Sequence, residues 1–198
     1  MASHGSNRSA PKYDRDFLLS PAKRDELIEQ WEVEKYGRDC FGDPDHVHLY
    51  GMPPKEWWGR GMRILSRTCI EAVNDPLGEA IGGDVANVIA QAPGRPAIGV
   101  VDPFAGSCNG LYAMLRHLPA ATGIGFEIQQ AVFDLTTRNI VQLNAPIDLV
   151  LGSYKDHMLN AVESVFDFTD LRAYNFNVPG FQPGILLGTR RWSPQVGP

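Results

Sequence analysis

The chain has 198 residues, 43% hydrophobic and 21% charged, the balance of one globular domain, with or without a helical extension, that buries a core; this excludes global disorder. The 18 Lys+Arg against 23 Asp+Glu leave a formal charge of −5, with basic residues scattered except at Lys23-Arg24 and Arg190-Arg191, so the basic stripe expected of a nucleic-acid binder is missing. Apolar runs such as Ile98–Val101 fall far short of the roughly 20 residues a membrane span needs, and the polar N-terminus lacks the apolar stretch of a secretory signal.

Residues 1–16 read as a flexible polar tail, in part an expression scar. Ser20-Pro21 then predicts a helix start, with Ser as N-cap and Pro at the first position. Leu27, Ile28 and Trp31 form its apolar stripe, and Gly37 ends it. Residues 38–56 are rich in turn formers and carry Phe41, His46, His48 and Tyr50. Trp58, Met62, Leu65, Cys69 and Val73 recur at spacings of four, three, four and four, which predicts a second helix from about Glu56. Asn74-Asp75-Pro76 breaks it. A third helix turns Ile81, Val85, Val88 and Ile89 inward and stops at Pro93-Gly94-Arg95-Pro96.

The period then changes. Ala97–Val101 predicts a buried strand, followed by a small-residue turn over Phe104–Gly110 and a helix with Leu111, Leu115 and Leu118 inward. Gly123–Phe126 is a second strand, Ala131–Leu143 a helix and Ile147–Leu151 a third strand. This rhythm predicts parallel strands joined by crossovers. A helix over about Lys155–Val165 and strands at Leu171–Phe176 and Gly184–Leu187 follow, the last two as an antiparallel pair. The domains expected are a tail (1–16), a helical cap (17–94) and an α/β domain (95–198).

The chemistry concentrates at Asp102-Pro103-Phe104-Ala105-Gly106-Ser107-Cys108-Asn109-Gly110. There a strand ends in an acid, a tight turn follows and a helix begins. Such a turn admits a ligand to the backbone and to helix N-terminal amides. Glu127 ends the next strand, 25 residues beyond Asp102, where an acid grips a ribose in nucleotide-binding folds. The dinucleotide pattern G-x-G-x-x-G is absent, which argues against NAD.

This constellation resembles the class I S-adenosylmethionine-dependent methyltransferases over roughly residues 95–190. The stretch DPFAGSCNG is similar to their first motif, with Cys108 where many relatives have glycine. GIGFE is similar to their second, and LVLGSYKD to their third strand. The resemblance implies a Rossmann-like, mostly parallel sheet with a closing antiparallel hairpin, here behind an N-terminal helical cap. It implies S-adenosylmethionine as cofactor, bound by Asp102, Pro103, Phe104, Ala105, Gly106, Ser107, Asn109, Glu127, Ile128, Ser153 and Tyr154. The family fold also implies two further strands before the hairpin, but only 18 residues separate Gly152 from Leu171. The α/β domain therefore reads as incomplete between about 153 and 171, through a deletion, strands supplied by a partner or, preferred here, residues dropped from the sequence.

The aromatics at 36–58 suggest a lid able to face a sulfonium by cation–π attraction. Tyr36, Tyr50 and Trp57 are its candidates, while Trp58 and Trp31 read as core. Tyr36, Tyr50 and Asn177, with Asn175 beside it, are the candidate catalytic residues. His46-x-His48 reads as a surface pair rather than a metal site, and Cys40, Cys69 and Cys108 as reduced thiols of a cytoplasmic protein. The function expected is methyl transfer to a small molecule, without metal, nucleic acid or membrane, by a monomer or homodimer. The alternatives are cyclisation of the cofactor to azetidine-2-carboxylate with release of methylthioadenosine, and non-catalytic cofactor binding. Nucleic-acid base methylation is disfavoured by the acidic balance.

Overall fold

The change of period near residue 97 is where the architecture changes. A computed structural model describes residues 12–90, 99–119 and 121–156, together with the short strands at 172–173 and 186–187. Helices α1 (Arg15–Leu18), α2 (Gln30–Phe41), α3 (Pro54–Gly59), α4 (Ser66–Glu71) and α5 (Asp75–Ala90) come first. Then β1 (Gly99–Asp102), α6 (Asn109–Arg116), β2 (Thr122–Glu127), α7 (Gln130–Gln142) and β3 (Ile147–Leu151) alternate. The three strands form a parallel sheet in the order β1-β2-β3, with Asp102 opposite Gly125 and Glu127 opposite Leu151. Among the described residues no helix is long and apolar enough to cross a membrane.

A closing hairpin is not seen as such. β4 (Arg172–Ala173) and β5 (Leu186–Leu187) form a two-residue antiparallel ladder, and residues 174–185 between them lie outside the described residues. So do Pro93–Pro96 and all but the start of the helix expected over Lys155–Val165. The segment 157–171, where the α/β domain reads as incomplete, also lies outside the described residues.

Two hydrophobic cores form. The first gathers Leu18, Ile28, Val33, Tyr36, Leu49, Tyr50, Trp57 and Met62; the second gathers Ile81, Val85, Val100, Leu111, Leu115 and Ile140. Full burial of one such aliphatic side chain contributes about 1.5–3 kcal/mol. Tyr112 packs against both cores. Helix α5 belongs to the second: a Cβ at Gly78 would come within 2.9 Å of Ala113 Cβ, and one at Gly82 within 2.9 Å of the Ala113 carbonyl. Only small residues there let α5 lie this close to α6. Helix α5, expected in the cap, thus packs with the sheet unit through α6 and the second core.

Other boundaries move for local reasons. Ser20-Pro21 starts no helix. Asp14 caps α1 by accepting from the Phe17 N–H at 3.0 Å, and residues 20–24 form a turn closed by Lys23 N–H to Ser20 O at 2.9 Å. Helix α2 begins instead on a reciprocal capping box between Glu29 and Glu32. Gly37 lies inside α2 and Gly42, at φ 74, ends it. Within the expected tail, Tyr13 is buried, and its hydroxyl donates to Glu32 Oε1 at 3.1 Å.

The predicted helix over 56–73 is two helices. Gly61, at φ 86, turns the chain after α3, and residues 62–65 run extended beside Leu27 through the Leu27–Leu65 bridge. The apolar spacing was right for either arrangement, and the glycines decided between them. This break also exchanges the two tryptophans. Trp57 is 0% exposed and donates Nε1–H to Val47 O at 3.2 Å. Trp58 is half-buried under the Arg63 guanidinium, 3.7 Å from its ring centroid. Trp31, expected in the core, is 54% exposed.

Candidate functional site

The turn after β1 is built by its own backbone. The Ala105 N–H donates to Phe126 O on β2 at 3.0 Å, and the Cys108 N–H to Ala105 O at 2.6 Å. From α7, Thr136 Oγ1 donates to Gly106 O at 2.9 Å. Gly106 sits at φ 50, and a Cβ there would meet nothing nearer than Phe104 O at 4.0 Å. Its left-handed backbone, rather than crowding, favours glycine, and its face is open. Gly125 is the opposite case: a Cβ would stand 2.7 Å from Ala105 Cβ, so the turn can lie on β2 only because β2 has no side chain there. Cys108 also takes a left-handed conformation, φ 57, as the residue before α6. It is fully buried, and burial, reinforced by the charges of Asp102 and Glu127, pushes its thiol up. A thiolate nucleophile is therefore disfavoured at this position.

Asp102 and Glu127 end adjacent strands. Asp102 Oδ1 accepts from the Phe104 N–H at 3.0 Å, and Glu127 Oε1 from the Gln129 N–H at 2.7 Å. Burial raises the Asp102 carboxyl above the usual carboxylate range; the Phe104 N–H opposes this and the neighbouring Glu127 charge adds to it. Between these acids and the cap lies a cleft enclosing ≈ 80 Å³, lined by Asp102, Phe104–Ser107, Asn109, Gly110, Glu127, Gln129 and Val132 on one side. The other side is α4 and the residues after it: Arg67, Thr68, Glu71, Ala72 and Val73. Arg67 gives Nε and Nη2 to Glu71 at 2.8 and 2.9 Å and Nη1 to Gln129 Oε1 at 2.6 Å.

The cap is fastened to the turn by buried polar contacts. Leu49 and Met52 pair across Tyr50-Gly51, both with positive φ, in a two-residue turn. This turn delivers the Tyr50 hydroxyl to Ser107 O at 2.6 Å and the Tyr50 N–H to Asn109 Oδ1 at 2.6 Å. Asn109 Nδ2 donates to Val73 O at 2.6 Å and to Asp75 Oδ1 at 2.7 Å, while Asp75 Oδ2 accepts from the Gly51 N–H at 2.8 Å. Farther along, Asn139 Oδ1 accepts from the Arg63 N–H at 3.1 Å and its Nδ2 donates to Arg63 O at 2.9 Å.

Of the residues expected at the site, Asp102, Phe104, Ala105, Gly106, Ser107, Asn109 and Glu127 line this cleft. Pro103 is buried within the turn. The Asn109 side chain is spent on the cap rather than free for a ligand. Ile128 is 70% and Phe104 64% exposed. Ser153 and Tyr154 follow β3, where the Tyr154 ring meets Phe104 edge-on at 5.1 Å. The catalytic role expected of Tyr36 and Tyr50 finds no support in their placement. Both are buried in the cap core, burial pushes both phenols up, and neither lines the cleft. Trp57, expected in the lid, is core as well. Asn175 and Asn177 lie outside the described residues. His46 stacks on Phe41, with ring centroids 3.5 Å apart, and no group of His, Cys, Asp and Glu able to hold a metal occurs among the described residues.

Sequence reasoning missed the cap wall. Its one local signal is Arg67 followed four residues later by Glu71, with small Thr68 and Ala72 beside them on one helical face. Comparison with known proteins adds no assignment: no family model matches the chain, and no curated protein matches it.

Proposed function

We propose that the cleft binds S-adenosylmethionine and that the chain transfers its methyl group to a small molecule. The observation that carries this reading is the pair Asp102 and Glu127, set at the ends of adjacent parallel strands on either side of an open glycine turn. The resemblance of DPFAGS and GIGFE to the two cofactor motifs of class I methyltransferases points the same way. The residues suit the group. Glu127 offers a carboxylate to a ribose diol, a charge-assisted contact. Gly106 leaves its backbone approachable, and Asp102 places negative charge beside a cationic ligand.

The cofactor, when bound, supplies an electrophilic methyl on a sulfonium. The chain's own contribution is alignment and exclusion of water, which can supply much of the acceleration in a displacement of this type. No tyrosine of the cap is placed to take a proton, so the acceptor suited to this cleft is a group nucleophilic without strong activation, such as an amine.

The test is chromatography of products formed from S-adenosylmethionine with and without a panel of small amines. Acceptor-dependent S-adenosylhomocysteine supports the proposal. Methylthioadenosine formed without acceptor would replace methyl transfer by ring closure, and binding without turnover would reduce the protein to a cofactor binder.

A further inference from the structure

Resting on the reading of the cleft as an adenosyl site, we propose that Arg67 is a positioning residue that holds Glu127 for the ribose diol through Gln129, so that nucleoside recognition depends on the cap. The geometry is two hydrogen bonds that meet at Gln129, one on its side chain and one on its backbone. Arg67 Nη1 donates to the Gln129 side-chain carbonyl at 2.6 Å, and the Gln129 backbone N–H donates to Glu127 Oε1 at 2.7 Å. Arg67 is itself fixed: its side chain is 13% exposed, its Nε and Nη2 fork onto Glu71, and its Nη1 also lies 3.7 Å from Asp25 Oδ1.

Gln129 is the residue before α7, the position where a side chain ordinarily satisfies a free amide of the first turn. It makes no such bond. Its side chain reaches to α4 instead, leaving its backbone to aim at Glu127. The far end of the Glu127 peptide is pinned as well, since Glu127 O accepts from the Gly152 N–H at 2.8 Å. The Glu71 hydrogen bonds, against a smaller cost of burial, favour the charged guanidinium, and the charges of Glu71, Asp25 and Glu127 add to this. The carboxylate thus lies within the field of the arginine that steers it. Removing the guanidinium frees the Gln129 side chain, and the backbone amide that orients Glu127 is left with one anchor, the Phe133 N–H to Gln129 O bond at 2.9 Å.

The discriminating readout is the preference for an intact diol, which a loss of cap stability alone does not alter. S-adenosylhomocysteine, its 2′-deoxy analogue and methylthioadenosine, which lacks the amino-acid tail, are titrated against the full chain and the variants Arg67→Ala, Gln129→Ala, the double variant and Glu127→Gln. Gln129→Ala keeps the backbone amide and the Arg67–Glu71 pair, so it reports the relay even if Arg67→Ala unfolds.

The intact protein is expected to prefer the ribonucleoside about tenfold, the scale of one charge-assisted hydrogen bond. Arg67→Ala and Gln129→Ala should each lower that preference to about threefold, and the double variant should go no lower, as members of one chain do. Both S-adenosylhomocysteine and methylthioadenosine should weaken alike. Retention of the full preference in both single variants overturns the inference and leaves the adenosyl site standing. So does a loss confined to S-adenosylhomocysteine, which would make Arg67 a direct contact of the amino-acid tail. An intact protein indifferent to the 2′-hydroxyl overturns the adenosyl reading itself, and this inference with it.

Discussion

The two walls of the cleft are built in opposite ways. The sheet wall, from Asp102 to Gly110 with Glu127, takes its shape from bonds within the turn and to the adjacent strand, to which α7 adds Thr136 and the cap adds its ties to Ser107 and Asn109. The cap wall, from Arg67 to Val73, is placed by contacts between residues far apart: Asn109 with Tyr50 across 59 positions, Gln129 with Arg67 across 62 and Asn139 with Arg63 across 76. A local wall folds with its strand, whereas a wall assembled at a distance is only as firm as the polar groups that fasten it. The sheet wall is therefore expected to supply the contacts to the ligand, and the cap wall to hold those contacts in place.

The largest effect that could break this contrast is in the cap core. Trp57→Ala should cost about 3–5 kcal/mol of stability, as removal of a buried aromatic does, whereas Trp58→Ala should cost about 1 kcal/mol. Urea unfolding of both variants checks this, and equal losses would mean the cap is packed otherwise.

Next comes the fastening itself. Asn109→Ala removes the Asn109 bonds to Asp75 Oδ1, to the Val73 carbonyl and to the Tyr50 amide, with an expected loss of about 2–4 kcal/mol. If the same variant loosens the protection of Tyr50 and Gly51 amides in hydrogen exchange, cap and turn are one unit. Unchanged protection would separate them.

Cys108 gives a smaller effect. Replacing it by glycine relieves a left-handed residue of about 1 kcal/mol of strain and forfeits a similar amount of buried packing. Cys108→Gly should therefore melt close to the parent protein, while Cys108→Ala, which keeps the strain and loses the sulfur, should melt lower. A large loss with glycine would show that the thiol does more than fill space.

The pH dependence is the finest probe. Asp102 has its folded pKa raised, so its stabilising contribution is full below the unfolded value of about 3.9 and is lost as pH rises through the folded one. Asp102→Asn should accordingly stabilise the protein at neutral pH. It should also weaken a cationic ligand, and in the parent protein that ligand's affinity should fall on acidification at a pH above the ordinary carboxylate range. If stability at neutral pH is unmoved by Asp102→Asn, the carboxyl is not penalised by burial.

What the sequence made legible follows the same division. The strand-turn-helix passage at 97–118 and the alternation through Leu151 could be read because period, glycine and acid are neighbours there. Tyr50, Trp57 and Tyr36 lie in the cap core rather than along the cleft, a placement that aromatic density cannot show because it says nothing about which side of a cap the rings face. Gly61, which turns the chain between Trp58 and Cys69, decides that facing. Arg67 was missed because an arginine with a glutamate four residues on is the ordinary pattern of a solvated helix surface, and only the fold sets it opposite Glu127.

The central claim is that Asp102 and Glu127 form the two poles of an adenosyl site, and calorimetric titration of S-adenosylhomocysteine into the parent protein and Glu127→Ala tests it most directly. The account predicts saturable binding to the parent protein and a loss of about 1.5–3 kcal/mol in the variant, with both proteins unfolding at similar temperatures. Equal affinity for the two proteins, or no binding to the parent, would contradict it.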